Sequence, residues 1–132
     1  MGQLFVNGTL MRGLKLHPNL DGATFLEETR TAPVYRIHSI GDVHPGMYEV
    51  PDGGVSVQGE LYEVPDDVWQ RVESGEPPGL YRGPVKLADG RVVPGILYPQ
   101  EMAESGRHRD ISDFGGWRGY VAAREANRVG GS

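Results

Sequence analysis

The chain has 132 residues, a net charge of −5, no cysteine, and 38% hydrophobic against 23% charged residues. That length is one domain of ordinary size with a core of its own, and the composition excludes a disulfide framework, a thiolate metal site and a cysteine nucleophile. No basic block occurs and no apolar run nears the roughly 20 residues of a membrane span, so neither nucleic acid nor membrane is an expected partner.

Taken in order, the chain opens with Gln3-Leu4-Phe5-Val6, which stops at Asn7-Gly8 and hands over to helical spacing at Leu10 and Leu14. A first strand, a tight turn and a helical turn are expected. Such a turn gathers backbone N–H groups and suits an anionic or carbonyl oxygen. It is equally an ordinary strand-to-helix turn in which Gly8 supplies only a dihedral. Lys15 to Gly22 reads as loop. Ala23 to Arg30 alternates as a half-buried strand, with Leu26 the exception. Tyr35, Ile37 and Ile40 mark the next strand, with Arg36 and His38 on its other face. Asp42 to Gly46 reads as a turn and Met47 to Val50 as a short strand. Val55 to Val64 is the longest apolar strand, where Gly59 interrupts the alternation as a bulge or close backbone approach would.

Pro65 to Val72 predicts a helix with Asp66 or Asp67 at its start, ended by Ser74-Gly75. A hairpin follows, its apolar arms joined by Asp89-Gly90. The last element is predicted as a helix from Ser112 carrying Phe114, Trp117, Tyr120 and Val121 on one face. Gly115-Gly116 weakens its first turn, which often lets another backbone come close. Glycine and proline, 20 and 10 residues, are spread as punctuation, so many short strands are expected. The predicted fold class is α+β: a small mixed, mostly antiparallel β-barrel with a few flanking helices. One domain covers residues 1–126, with 127–132 as a flexible tail.

No nucleophile elbow, phosphate loop or dinucleotide fingerprint is present. The histidines His17, His38, His44 and His108 are scattered without metal-ligand spacing, so neither metal nor cofactor is expected. His38 and His44 flank a turn that could face a cleft. Glu76, ahead of Pro77-Pro78-Gly79, sits where prolines restrict the chain; a carboxylate held so in a partly apolar pocket becomes a usable acid/base. Arg12, Arg36 and Arg82 can clamp a carboxylate. Each also reads as a solvated surface side chain. Trp69 and Trp117 read as core anchors.

Three stretches together resemble a known family. Leu4 to Gly13 is similar to the opening motif of the γ-glutamylcyclotransferase-like, or AIG2-like, superfamily. Gly59-Glu60-Leu61-Tyr62 resembles its second characteristic strand, and Glu76 with Tyr81-Arg82 resembles its acid/base loop. Within that superfamily, Phe5 to Met11, Pro77 to Tyr81 and Ile111 to Arg118 resemble the C-terminal domain of allophanate hydrolase and short relatives of it. In cyclotransferases, the resemblance implies, the opening loop holds a γ-glutamyl group and the loop glutamate moves a proton between attacking and leaving amines. That would give Glu76 the catalytic role and Asn7, Gly8, Thr9, Leu10, Arg12, Arg36, His38, His44, Tyr81 and Arg82 substrate contacts. Asn7 stands where the family usually has tyrosine. The allophanate hydrolase subgroup implies decarboxylation of N-carboxycarbamate instead, which needs a pocket for a small dianion and a proton donor. The expected function is thus a small-molecule enzyme acting on a compact carboxylated amide or carbamate. The other is a non-catalytic accessory or assembly module for an amidase or allophanate hydrolase. The expected partners are a small carboxylated substrate, such an amidase subunit, and a second copy of the chain. The N-terminus lacks the layout of a signal peptide, and the expected location is cytoplasmic.

Overall fold

Leu4, Phe5 and Val6 are apolar in succession, as a strand covered on both faces requires. They form the core of β1 (Gly2–Val6), the middle strand of the larger sheet. The computed structural model describes residues 2–75, 79–106 and 108–130, with side chains to residue 126. The other strands of this sheet are β2 (Thr24–Arg30), β5 (Gln58–Val64), β6 (Tyr81–Lys86) and β7 (Val92–Leu97), in the order β2-β5-β1-β7-β6. β1 runs antiparallel to β5 and parallel to β7; every other pairing is antiparallel. A second sheet has the order β4-β3-β8, from β3 (Tyr35–Ile40), β4 (His44–Glu49) and β8 (Arg109–Asp110). The class is therefore α+β, mixed and mostly antiparallel as expected, with the strands divided between two sheets rather than closed in one ring.

Two glycines flank the middle strand for a steric reason. A Cβ on Gly59 would lie 2.4 Å from Phe5 Cζ and from Val6 O, and one on Gly95 would lie 2.4 Å from Val85 Cγ2. The interruption at Gly59 is thus a close approach within an unbroken strand. The exception at Leu26 is a register shift: β2 slips against β5 between Phe25 and Glu27.

The helices are α1 (Asp66–Gly75), α2 (Gln100–Ser105) and α3 (Trp117–Gly130). Asp66 and Asp67 occupy the first turn of α1, near the positive end of its dipole, while Val68 and Val72 are buried. Sequence reading missed α2 and β8. α2 buries only Ala103, against Ile40, Tyr48 and Tyr98, so it has too few apolar residues to show a helical period.

Four local expectations need correction. Past β1 the chain makes successive turns, Met11 N–H to Gly8 O and Leu14 N–H to Met11 O, and then a 3-10 helix at His17–Leu20, where a helical turn and a loop were expected. The β3–β4 turn is Gly41–Val43, and His44-Pro45-Gly46 already belongs to β4. Ser112 does not cap α3: its hydroxyl accepts the Ile37 N–H at 3.0 Å, and α3 starts only after Gly115 and Gly116 at φ 79° and 143°. The expected close approach is there, since Gln58 N–H bonds Gly115 O at 2.8 Å. Finally, α3 continues to Gly130, through residues read as tail; Gly131 and Ser132 lie outside the described residues.

Candidate functional site

The chain leaves β1 at Asn7 and folds over a hollow whose wall includes Asn7, Gly8, Thr9, Leu10, His44 and Gly75. The rest of its lining is mainly apolar, with Val6, Val72 and Ile96 among its members. About 30 Å³ of it is open to water, room for about two water molecules.

Gly8 is required here by contact and not by conformation. Its φ is not positive, and a Cβ would sit 2.6 Å from Pro45 Cγ. The turn therefore lies directly on the first residues of β4. Across the hollow, a Cβ on Gly75 would lie 2.6 Å from Asn19 Nδ2, so the end of α1 closes onto the 3-10 helix.

The polar groups at this hollow are incompletely used. Asn7 is buried, and its Nδ2 donates to Ile96 O and Met47 Sδ, both at 3.3 Å. The carbonyl partner can only accept, which fixes the amide orientation. His44 is buried too, and its Nδ1 lies 3.0 Å from Pro45 O. That oxygen only accepts, so the neutral ring carries its proton on Nδ1 and a lone pair on Nε2. Among the described residues, neither Asn7 Oδ1 nor His44 Nε2 has a hydrogen-bond partner, and the backbone N–H groups of Gly8, Thr9 and Leu10 have no acceptor.

The turn is held from behind by Glu60, a carboxylate that is 2% exposed on β5. It accepts the Arg12 backbone N–H at 2.9 Å, Arg12 Nε at 3.1 Å, the Tyr62 hydroxyl at 2.9 Å and Arg118 at 3.2 Å. Burial by itself pushes this carboxyl up; the donors of Arg12 and Tyr62 outweigh it and leave the group below its ordinary range. The Tyr62 phenol is pushed up by burial and then by its bond to Glu60. Sequence reasoning quoted Glu60 in a motif without giving it a role. The available signal was a charge inside the longest apolar strand, which is rare unless paired.

The expected site residues divide sharply. Asn7, Gly8, Thr9, Leu10 and His44 share the hollow. Arg12 turns away to Glu60 and Glu28 and covers the Phe25 ring at 4.0 Å. Arg36 bonds Asp110 at 2.7 Å and Gly53 O at 2.9 Å on the smaller sheet. His38 gives its Nδ1 to Ala103 O at 2.9 Å beneath α2. Arg82 stacks on Trp69 at 4.4 Å, so that tryptophan is only partly a core anchor, and Tyr81 is half-exposed on β6. None of these five lines the hollow. Glu76 and the two prolines lie outside the described residues, immediately after Gly75. Among the described residues no helix is long and apolar enough to cross a membrane, and no three side chains group as metal ligands.

The chain is 30% identical over 125 residues to a urea amidolyase of Saccharomyces cerevisiae, covering 89% of this chain and 7% of that protein. It matches the structure of c4763, a uropathogenic E. coli-specific protein, at 43% identity and a TM-score of 0.86, covering 92% and 95% of the two chains. It matches Kluyveromyces lactis allophanate hydrolase at 31% identity and a TM-score of 0.84, covering 92% of this chain and 21% of the other. The chain thus spans a small part of the curated relatives it matches. Residues 2–122, from β1 through the first turns of α3, match the allophanate hydrolase C-terminal domain, and the chain belongs to that family.

Proposed function

We propose that the chain is a small-molecule enzyme domain acting on a compact carboxylated amide or carbamate. One observation carries this reading: the residues after β1 whose N–H groups are unpaired among the described residues, the buried His44 and the residue preceding Glu76 all line a single hollow. Backbone donors set where negative charge develops, with a nearby acid/base, are the parts that acyl transfer and decarboxylation share. For cyclotransfer, Glu76 takes a proton from the attacking amine as the amine bonds the carbonyl carbon. The carbonyl oxygen, now negative, rests on the N–H groups of Gly8, Thr9 and Leu10. Collapse of the adduct expels the leaving amine, which receives the proton from Glu76. For decarboxylation, the N–CO₂⁻ bond breaks, carbon dioxide leaves, and the electron pair on nitrogen takes a proton from the same acid.

The test is Glu76→Gln, with its fold checked by circular dichroism, assayed on γ-glutamyl amines and on N-carboxycarbamate generated in place. Loss of about 10²–10⁴ in turnover with the fold intact supports the enzyme reading. A second reading is favoured by the relatives, in which the matching segment is a fraction of a urea amidolyase or allophanate hydrolase. On that reading the domain is an accessory module for an amidase. No turnover with any substrate, together with tight binding to an amidase subunit, supports it over the first.

A further inference from the structure

A planar trans peptide points its C=O and its N–H in opposite directions, so whatever fixes the carbonyl also aims the hydrogen. Gly8 O accepts the Met11 N–H at 3.0 Å, which aims the Thr9 N–H. Thr9 O accepts the Leu16 N–H at 2.8 Å, which aims that of Leu10. The peptide that carries the Met11 N–H is held in turn, because its carbonyl, Leu10 O, lies 3.0 Å from His17 Nδ1. In the next peptide, Met11 O accepts the Leu14 N–H at 3.1 Å and the Arg12 N–H is given to Glu60. The carbonyl after that, Arg12 O, accepts from Arg118 Nη2 at 2.9 Å, and the same nitrogen donates to Glu60 Oε2 at 3.2 Å. One guanidinium of α3 thus closes a series of hydrogen bonds that runs back, peptide by peptide, to the Thr9 N–H.

From this geometry we infer that Arg118 is a positioning residue for the reaction at the hollow: it acts through the Arg12 carbonyl to set the aim of the turn's N–H groups. The inference rests on the proposed use of those N–H groups and adds to it a residue that does not line the hollow. β5 fixes both the helix that carries Arg118 and the carboxylate that Arg118 meets. Gln58 N–H bonds Gly115 O, just ahead of α3, and Glu60 stands two residues further along the strand. The Arg118 side chain is 47% exposed, against 3% for Glu60. Its removal therefore takes two hydrogen bonds from the turn and leaves the core closed, whereas Glu60 is needed for the turn to form at all. Donors that are misaimed lose most where negative charge develops, so the effect falls on kcat more than on KM.

Arg118→Met keeps an unbranched side chain and removes its donors, and Arg118→Lys puts a donor back. Both are made in the full chain. In Arg118→Met, hydrogen exchange at the Met11 and Leu16 amides, whose acceptors are Gly8 O and Thr9 O, is expected to quicken about 10-fold while the amides of β5 keep the wild-type rate. The kinetic arm uses a γ-glutamyl amine or N-carboxycarbamate that the wild type turns over and Glu76→Gln does not. There kcat is expected to fall about 10- to 100-fold with KM within about threefold of the wild type. Arg118→Lys is expected to recover most of both losses. Arg118→Gln replaces the methionine variant if that one does not fold. Wild-type exchange at Met11 and Leu16 without the guanidinium overturns the inference and leaves the proposed site standing. Faster exchange with kcat unchanged overturns it too, since the aim of the turn then has no bearing on the reaction, and leaves the role of Glu76 standing. Failure of the wild type to turn over any of these substrates overturns the proposed function and this inference with it.

Discussion

The carboxylate of Glu60 accepts the backbone N–H of Arg12 at 2.9 Å, joining the middle of one strand to the turn that leaves its neighbour. The register Val6↔Glu60 sets that carboxylate beside the last residue of β1, so the turn must fold back over the sheet to reach it. Removing the carboxylate strands the buried Tyr62 hydroxyl and releases the turn. Glu60→Ala, which leaves the Tyr62 hydroxyl and the Arg12 amide without this acceptor while the two arginines stay solvated, is expected to cost about 1–3 kcal/mol, and Glu60→Gln less because one acceptor survives. Urea denaturation measures both. A cost below about 1 kcal/mol for the alanine variant would show that something else holds the turn.

The same contact predicts an acid response. The folded Glu60 carboxyl titrates below its ordinary range, since the donors around it outweigh burial. A depressed carboxyl contributes stability above its unfolded pKa and loses it as pH falls through the folded value. Asp42, lowered by Ser39 and Tyr120, and Asp110, where bonds from Ser112 and Arg36 outweigh burial, act in the same direction. Stability should therefore decline below roughly pH 5, and less steeply in Glu60→Gln than in the wild type. Denaturant midpoints taken across that range check it; parallel slopes would remove Glu60 from the account.

Gly8→Ala tests the seat of the turn. The added methyl would meet Pro45 at 2.6–2.7 Å, where atoms do not sit, and the proline ring has no flexible end to yield. The turn must lift from β4, at an expected cost of about 1–3 kcal/mol. Lifting it also moves the Gly8, Thr9 and Leu10 amides away from His44. Thermal melting reports the first effect, and the resonances of those amides report the second. A variant with wild-type stability and spectra would mean the contact with Pro45 is dispensable.

Much of this arrangement was legible in the residues. Alternation and turn chemistry gave most strands, because Asp89-Gly90 and the apolar runs around it act locally; Gly90 does take a positive φ of 94°. The turn after β1 is legible at Asn7-Gly8, where the apolar run stops. What was lost depended on partners distant in sequence. Arg36, read as a clamp, is taken by Asp110, 74 residues away, on a two-residue strand that carries no pattern of its own. Ser112 looked like a cap because its sequence neighbours fit, yet its hydroxyl serves the edge of β3. The β3–β4 turn was misplaced because its left-handed residues are Gly41 and Asp42, φ 61° and 59°, while the His44-Pro45-Gly46 breakers beside it lie in a strand.

Asp42 connects that turn to the last helix and gives a further expectation. Its carboxylate accepts the Ser39 hydroxyl and the Tyr120 hydroxyl, the latter at 2.8 Å, with Arg124 at 3.5 Å. Tyr120 is buried against Phe114 and Trp117, so Tyr120→Phe removes the hydrogen bond and keeps the packing. About 1 kcal/mol should be lost, and the Asp42 carboxyl should rise toward its ordinary value because one of its two hydroxyl donors is gone. Carboxyl ¹³C titration follows the second effect directly. An unmoved Asp42 would mean that Ser39 alone sets its acidity.

Arg36 and Arg82 separate the geometry from the motif. Both were expected as substrate clamps, and both are committed away from the hollow, one to Asp110 and Gly53, the other to the face of Trp69. Arg82→Ala should lower stability by about 0.5–1 kcal/mol through the lost stacking, and Arg36→Ala by up to about 1 kcal/mol through its part-exposed ion pair. Neither should change kcat/KM by more than about threefold on a substrate that Glu76→Gln fails to turn over. A loss of about 100-fold in kcat/KM from Arg36→Ala or Arg82→Ala, with stability unchanged, would mean that the guanidinium swings to the substrate and that the hollow handles a charge its resting lining does not provide for.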